Sequence, residues 1–392
     1  MSVPAAFPFI DVKIDTSALQ PVAQRMPGVI AIVGKTPTGA NGGTADVNKP
    51  YRVETSDDAA TLFAKKNPDG SVSATTLYTS LVLAMQQDPR PSKIYGVRVD
   101  GTNYAAALAG LEAADDVTFV SLADETSIGA VATDSTSATN LEALKEHVEK
   151  MSSGGQKRLG IAMVNPTTAK SSSYVADVSA AVSSLKSDSS RMVIVAARGA
   201  TEDTATAAMA SIAGFAPHVS LVLKKVRGIT MPVEKQYSPS EIKGLSEEGL
   251  IPIIDPELIV GSSLHFAEGR CYTSDASLLY IDIVRTLDDI EFRLKAGLMG
   301  LIGDARITKP GMIRLKTQIA GILGPLKRKA IITNYEVSIP VLNALDIPES
   351  ARTPTDNTII TTARANRTVE LVVSITYGPA VHHLRVTLAP KF

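Results

Sequence analysis

Gly34, Lys35 and Thr36 match the last three positions of a phosphate-binding loop. That motif needs a glycine, four loop residues and then Gly-Lys-Ser/Thr, because the N–H groups of the loop must surround the phosphates. Here five residues separate Gly28 from Gly34, and these five form an apolar run that is typical of a buried strand. No helix pattern follows Thr36. The spacing therefore does not support a nucleotide site.

Other reactive side chains also lack the spacing that chemistry requires. The turns after the predicted strands contain no Gly-x-Gly-x-x-Gly, and the chain has no Gly-x-Ser-x-Gly. The five histidines do not combine with one another, with the cysteine or with carboxylates at metal-ligand spacing. Asp288, Asp289 and Glu291 form an acidic group on a predicted helix. Solvation of that group, or pairing with Arg285 and Lys295, is the simpler interpretation. The sequence predicts no catalytic, cofactor or metal residues, and no enzyme.

The composition is that of a globular protein with two or three domains. The chain has 392 residues, of which 44% are hydrophobic and 20% are charged. No apolar run approaches the length of a membrane span, and we expect neither membrane insertion nor a secretory signal. The one cysteine, Cys271, excludes an internal disulfide and fits a reducing compartment.

Positive charge is concentrated at the C-terminal end of the chain. The formal net charge is −1, but residues 301–392 contain 12 Lys plus Arg and 6 Asp plus Glu. The overall charge does not favour a nucleic-acid partner, whereas the basic end is either a solvated face or a surface for an acidic partner. Within it, Lys327, Arg328 and Lys329 follow a predicted helix end at Gly324 and Pro325. These three residues either stabilise the helix C-terminus or contact a partner.

Predicted strands alternate with predicted helices through the first part of the chain. The strands are predicted at residues 28–34, 93–99, 117–122, 159–164, 192–196 and 219–223, and the helices at 104–114, 140–151, 174–185 and 204–213. This alternation predicts an α/β region with a mostly parallel sheet.

The pattern changes after Gly228 to a mixed α+β arrangement. Two helices are predicted, one beginning at the cap at residues 273–275 and one at 310–324. Strands are predicted at residues 331–339, 358–363 and 368–377. In the last of these, Val369, Leu371 and Val373 share one face because side chains alternate along a strand.

Both ends of the chain have the alternating pattern of single strands. Ile10, Val12 and Ile14 alternate with polar residues near the N-terminus, and Leu384, Val386 and Leu388 alternate near the C-terminus. No two-residue hairpin signal follows the first of them. Since fifteen extended residues span roughly 50 Å, such an arm is long enough to add a strand to the sheet of a neighbouring molecule. This pattern predicts an assembly subunit.

Several of these segments together carry a resemblance to a known family. They are residues 27–34, 51–63, 93–99, 269–275, 283–290, 336–339, 369–377 and 381–388, and the two stretches that they span, 27–99 and 269–388, make up roughly half of the chain. Their apolar and turn residues resemble those of the contractile tail sheath proteins of contractile phages, R-type pyocins and related injection systems. Residues 100–230 match no particular member.

The resemblance implies a structural subunit that polymerises as stacked hexameric rings around an inner tube. It implies that the sheath is built in an extended state and contracts to drive the tube through a target envelope. The implied partners are other copies of the chain, the inner tube protein, and baseplate and tail terminator proteins, with no cofactor, no nucleic acid and no membrane insertion. The particle would be a virion tail or an injection system assembled in the bacterial cytoplasm.

The same resemblance assigns roles along the chain. Residues 1–24 and 379–392 would be arms, 25–100 the first segments of the core sheath domain, 101–230 an outer variable domain, and 231–378 the conserved C-terminal domain. Strands exchanged between subunits would complete that domain, and the basic residues Lys327, Arg328 and Lys329 would contact the inner tube. The residues proposed for the exchange are Ile10, Val12, Ile14, Val369, Leu371, Val373, Leu384, Val386 and Leu388.

Two other classes of protein stay open on the sequence. A different helical or capsid-like structural protein would share the exchanged arms but lack the inner tube. An α/β enzyme with a parallel sheet would need a pocket with convergent polar groups, and no motif proposes one.

Overall fold

The computed structural model describes residues 28–37, 39–130 and 139–382. These residues form two compact units. The larger unit comprises residues 28–290 and 377–382, and the smaller unit comprises Glu291–Thr376. Among the described residues, no helix has the length and apolarity needed to cross a membrane.

The larger unit contains an alternation of strands and helices, as the sequence predicts. In chain order its elements are β1 (Val29–Lys35), β2 (Pro50–Val53), α1 (Ser56–Phe63), β3 (Lys65–Lys66), β4 (Val72–Ser73), α2 (Thr76–Met85), β5 (Lys93–Val99), α3 (Tyr104–Gly110), β6 (Phe119–Leu122), α4 (Asn140–Ser153), β7 (Leu159–Met163), α5 (Tyr174–Val182), β8 (Met192–Ala196), α6 (Thr204–Gly214), β9 (Lys225–Val226), α7 (Pro239–Glu247), β10 (Ile251–Ile254) and β11 (Leu264–Phe266). A further helix, α8 (Ile281–Met299), begins in this unit and continues into the smaller one.

One sheet of the larger unit takes nine of the described strands. Their order is β2-β5-β1-β6-β7-β8-β10-β11-β9. From β5 to β10 all neighbours are parallel, while β2, β11 and β9 add antiparallel strands at the two edges. Every residue of β7 and β8 is buried, as expected of parallel strands covered by helices on both faces. The prediction of a mostly parallel sheet is confirmed.

The predicted strand at residues 219–223 is wrong. These residues form turns, in which the amide of Lys224 donates to the carbonyl of Leu221 at 2.9 Å. Leu223 has a left-handed backbone with φ 59° and is 51% exposed, so the run is not extended. Only Leu221 of this apolar run reaches the core, and the edge strand β9 begins two residues after the turn.

The smaller unit continues from α8 with helices and one pair of strands. Its elements are α9 (Lys309–Arg328), β12 (Asn334–Ser338), α10 (Pro340–Asp346), α11 (Pro354–Asn366) and β13 (Val372–Thr376). Part of its core is a cluster of Met312, Ile339 and Leu342. The mixed α+β arrangement predicted for this part of the chain is confirmed.

The predicted strand at residues 358–363 is wrong because it lies inside α11. Its β-branched residues favour a strand, but the preceding residues fix a helix start. Thr353 and Asp356 form a capping box, and Pro354 occupies the first helical turn. The helix buries Ile360 and Ala363 and ends at Arg367, which is left-handed with φ 52°.

The predicted helix end at Gly324 and Pro325 is also wrong, because α9 continues to Arg328. Proline inside a helix removes one hydrogen bond and crowds the preceding turn. Here the buried stripe of Ile322 and Leu323 continues to Leu326, one residue beyond the proline. We attribute the continuation to burial of Leu326, which favours a further helical turn.

The sheet of the larger unit takes strands from three of the predicted segments. β1, β2 and β5 lie in residues 25–100, β6 to β9 in 101–230, and β10 and β11 in 231–378. The predicted boundaries at residues 100 and 230 separate an outer domain from the core domain of an assembled sheath. Because they concern roles in an assembly, these boundaries stay predictions.

Candidate assembly surfaces

β12 and β13 form a two-stranded antiparallel sheet in the smaller unit. On one face, Tyr335 pairs with Ile375 and Val337 pairs with Val373, and all four side chains are half-buried. The opposite face is exposed. The residues on it are Asn334, Glu336, Ser338, Val372, Ser374 and Thr376.

This sheet has two edges that no described strand covers. Each strand uses one edge to pair with the other, and within the described residues the sheet contains no third strand. A two-stranded sheet is marginal by itself in water, and an open edge presents N–H and C=O groups to an added strand. The sheet can therefore accept further strands at both sides.

Val369, Leu371 and Val373 lie on the predicted common face. Odd-numbered residues from 369 to 377 are half-buried and the even-numbered residues between them are exposed. The strand itself is shorter than predicted, since β13 begins at Val372 and residues 368–371 connect it to α11. Val369 and Leu371 pack against the Met312 cluster of their own unit, and Val373 pairs with Val337. Their part in strand exchange stays a prediction.

The other residues proposed for exchange lie outside the described residues. They are Ile10, Val12, Ile14, Leu384, Val386 and Leu388.

The basic residues Lys327, Arg328 and Lys329 are exposed at the end of α9. Lys327 donates to the Oδ1 of Asn334 in β12 at 2.8 Å. Positive charge at a helix C-terminus is favourable, and Glu291–Thr376 as a whole contains 12 Lys plus Arg against 7 Asp plus Glu. The three residues form part of a basic surface, and their contact with an inner tube stays a prediction.

The residue that resembled a phosphate-loop lysine pairs within its own unit. Lys35, at the end of β1, lies 3.0 Å from the Oε2 of Glu125, and the hydroxyl of Tyr104 donates to the same oxygen at 3.0 Å. Burial by itself raises the pKa of Glu125, but hydrogen bonds from the Ser127 amide, Lys35 and Tyr104 outweigh it and lower that pKa. Lys35 is thus used to stabilise the carboxyl end of the sheet.

A second carboxylate at this edge of the sheet also serves the fold. Asp203 caps α6 by accepting from the amide of Thr206 at 2.9 Å. Its other oxygen accepts from the hydroxyl of Ser80 at 2.6 Å and from the amide of Asp124 at 3.0 Å. Asp203 therefore connects α2, α6 and the loop after β6. In other α/β sheets this carboxyl edge commonly binds ligands.

The acidic group on α8 is paired, though not entirely as predicted. Glu291 pairs with Lys295 at 2.6 Å, as expected. Asp288 instead pairs with Arg191, through two hydrogen bonds of 2.6 and 3.0 Å. The Arg285 guanidinium donates to the carbonyl of Phe215 at 2.7 Å. Within the described ranges, no three His, Cys, Asp or Glu side chains come together as a metal site.

Sequence reasoning missed the polar contacts of residues 377–382, which follow β13. Tyr377 and His382 contact Asp282 and Glu268 of the larger unit. Tyr377 is the last residue of the predicted strand at 368–377, and His382 is one of the five histidines that lack metal-ligand spacing. No local spacing indicates these contacts, because the partners lie about a hundred residues earlier in the chain.

Comparison with known proteins gives matches in structure only. No protein-family model matches the chain, and no curated protein matches it in sequence. A chain of the anti-feeding prophage baseplate is 15% identical with a TM-score of 0.66, and the match covers 100% of both chains. A chain of the anti-feeding prophage helical sheath in the contracted state is 14% identical with a TM-score of 0.63, again covering 100% of both chains. A chain of the PVC sheath complex, an extracellular contractile injection system in the contracted state, is 12% identical with a TM-score of 0.65. That match covers 100% of this chain and 99% of the other.

The chain has the fold of a contractile sheath protein. The sheath fold includes both compact units, since the matches cover the chains from end to end. At 12–15% identity the likeness lies in the arrangement of the backbone, and it does not transfer the role of any single side chain.

Proposed function

We propose that this chain is the sheath subunit of a contractile injection particle, either a phage tail or a related bacterial system. Copies of it form stacked hexameric rings around an inner tube. The assembled sheath shortens from an extended state and drives the tube through a target envelope. The observation that carries the proposal is the full-length match to chains of two contracted sheaths.

The sheet of β12 and β13 supports a mechanism for assembly. Its two open edges are suited to strands from other copies, and both ends of this chain have the alternating pattern of such strands. We infer that Ile10, Val12 and Ile14 from one neighbour, and Leu384, Val386 and Leu388 from another, complete this sheet. A backbone ladder of this kind survives rigid-body movement of the units it connects, because its hydrogen bonds do not depend on the side-chain contacts between globular bodies.

Contraction in this proposal is powered by contacts between subunits. Burial of a further ~400 Å² of apolar surface per subunit gives on the order of 10 kcal/mol gross. Ordering and polar desolvation offset much of this. A small net gain in each of many subunits still supplies mechanical work, and no nucleotide is consumed. This agrees with the use of Lys35 in an internal ion pair.

The remaining assignments belong to the same proposal. The basic residues Lys327, Arg328 and Lys329 contact the inner tube, residues 101–230 face outward, and the arms at 1–24 and 379–392 connect copies. The other partners are baseplate and tail terminator proteins, and the chain has a structural role and no enzymatic one. The particle is either part of a virion or assembled in a bacterial cell.

Negative-stain electron microscopy of the purified protein tests the proposal. We expect hollow, striated cylinders, formed with the chain alone or after co-expression with its inner tube protein. Compact oligomers of fixed size in both preparations would contradict a sheath. Closed shells would indicate a capsid-like assembly instead.

A further inference from the structure

Residues 377–382, here called the arm root, follow β13 and include the first residues of the C-terminal arm at 379–392. At the start of the arm root, the hydroxyl of Tyr377 donates to the Oδ2 of Asp282 at 2.7 Å. Asp282 is buried in the first turn of α8. Burial, followed by the nearby carboxylate, raises the pKa of Tyr377, so the phenol stays protonated and remains the donor.

The end of the arm root is held at a second place. The Nε2 of His382 lies 2.9 Å from the hydroxyl of Ser220, and its Nδ1 lies 3.5 Å from the Oε1 of Glu268. The imidazole stands edge-on to the ring of Tyr280, with 5.0 Å between the centroids. Arg270 forms an ion pair with Glu268 at this site, since its Nε lies 3.5 Å from the other carboxylate oxygen.

Both anchors use carboxylates that are buried when the arm root is in place. Asp282 is 5% exposed and Glu268 is 4% exposed. A buried carboxylate that loses a hydrogen-bond donor retains its desolvation penalty. Each carboxylate therefore favours the state in which the arm root is bound, and the two contacts support each other along a segment of six residues.

We propose that Tyr377 and His382 are paired anchors that fix the arm root on the body of its own subunit, so that the C-terminal arm starts from a defined place when a neighbouring copy captures it. This inference rests on the proposed function, because it assumes capture by a neighbour. The anchors hold residues 377–382 and leave the alternating residues from Leu384 onward for the neighbour. Weakening them is expected to slow assembly without unfolding either unit.

NMR relaxation of the unassembled subunit tests the anchors without reference to assembly. In the Tyr377→Phe and His382→Ala variants, the order parameters of the amides of Gly378 and of residues 380–382 should fall from about 0.85 toward 0.6 or below, since each variant loses a hydrogen bond that holds the arm root. Order parameters in β7 and β8 should stay the same. Tyr78→Phe is the matched control, because the half-buried Tyr78 of α2 makes no side-chain hydrogen bond among the described residues. Equal order parameters for these amides in all four proteins would overturn the proposal.

Assembly kinetics test the consequence. Followed by light scattering and electron microscopy, the unmodified chain and Tyr78→Phe should form tubes at the same rate. Tyr377→Phe and His382→Ala should have half-times that are several-fold longer, with the double variant slowest. Equal or faster assembly of the variants would overturn the inference while the sheath function stands. Failure of the unmodified chain to form tubes would instead overturn the function, and the relaxation experiment would still decide whether the anchors exist.

Ser220→Ala sharpens the assignment of the second anchor. It removes a partner of His382 and leaves the imidazole next to Glu268 and Tyr280. Its effect on the order parameters of residues 380–382 should be smaller than that of His382→Ala, and the two substitutions together should have no larger effect than His382→Ala alone. Fully additive effects would show that Ser220 and His382 act separately, contrary to a shared anchor.

Discussion

The sheet of the larger unit and the sheet of the smaller unit differ in how completely they are enclosed. Every residue of β7 and β8 is buried, whereas no residue of β12 or β13 is. Among the described residues, the first sheet contains nine strands, while the second contains two strands whose outer edges are both open. The described part of the chain therefore encloses the sheet of the larger unit, whereas the sheet of β12 and β13 is suited to completion by other chains.

The largest expected effect comes from removing the strands that complete the smaller sheet. Leu384→Asp with Val386→Asp places charge on the face that should pack against a neighbour. We expect tubes to be lost altogether, while the melting of the larger unit is unchanged.

Deletion of residues 1–15 should likewise leave a folded subunit that forms no long tubes. Loss of a cooperative melt in either variant would mean that the strand belongs to the fold of its own chain.

The next effect concerns a buried ion pair of the larger unit. Arg198 makes two hydrogen bonds to Glu241, of 2.6 and 3.3 Å, and its Cζ lies 4.4 and 4.7 Å from the ring centroids of Tyr174 and Tyr237. Breaking such a pair leaves a carboxylate without its partner, so Arg198→Met should cost about 3 kcal/mol of unfolding free energy. Urea denaturation of the assembly-blocked subunit measures this.

Lys295→Met is the matched control for Arg198→Met. Lys295 and Glu291 form an ion pair of 2.6 Å whose side chains are 57% and 38% exposed. An exposed pair of this kind contributes at most about 0.5 kcal/mol. A loss as large as that for Arg198→Met would contradict the view that burial decides which pairs matter in this protein.

A smaller, gradual effect should appear with pH. Hydrogen bonds from Arg198 lower the pKa of Glu241 from 4.5 to about 2. Because the folded pKa lies below the unfolded one, the stabilisation is complete above pH 4.5 and is lost as the pH falls toward 2. The loss over that range is on the order of 3 kcal/mol, and at pH 3.5 it is only part of that. Urea denaturation at pH 6, 4.5 and 3.5 should show a shallower decline for Glu241→Gln. An identical decline in both proteins would assign the acid sensitivity to other carboxylates.

The sequence predicted the enclosed sheet better than the open one, for physical reasons. The strands at residues 93–99 and 192–196 are correct to the residue because continuous apolar runs between turn signals leave little ambiguity. In the smaller unit, the β-branched residues at 358–362 favoured a strand, but they lie in the helix α11. The capping box of Thr353 and Asp356 was available in the sequence and indicates that helix.

Sequence patterns do not predict the contacts of the arm root. His382 and Ser220 are 162 residues apart in the chain, and only the fold brings them together. By contrast, the alternating burial predicted for residues 369–377 is correct, although the strand is shorter than predicted. Burial follows the alternation of side chains along the extended chain and does not require the hydrogen bonds of a strand.

We propose that other copies of the chain complete the sheet of β12 and β13. A cryo-electron microscopy map of the assembled tube, at a resolution that traces each chain, decides whether they do. We expect residues 10–14 of one neighbour and 384–388 of another to lie hydrogen-bonded along the two open edges. Edges occupied by the same molecule's own arms, or left empty in the assembled tube, would contradict the proposal.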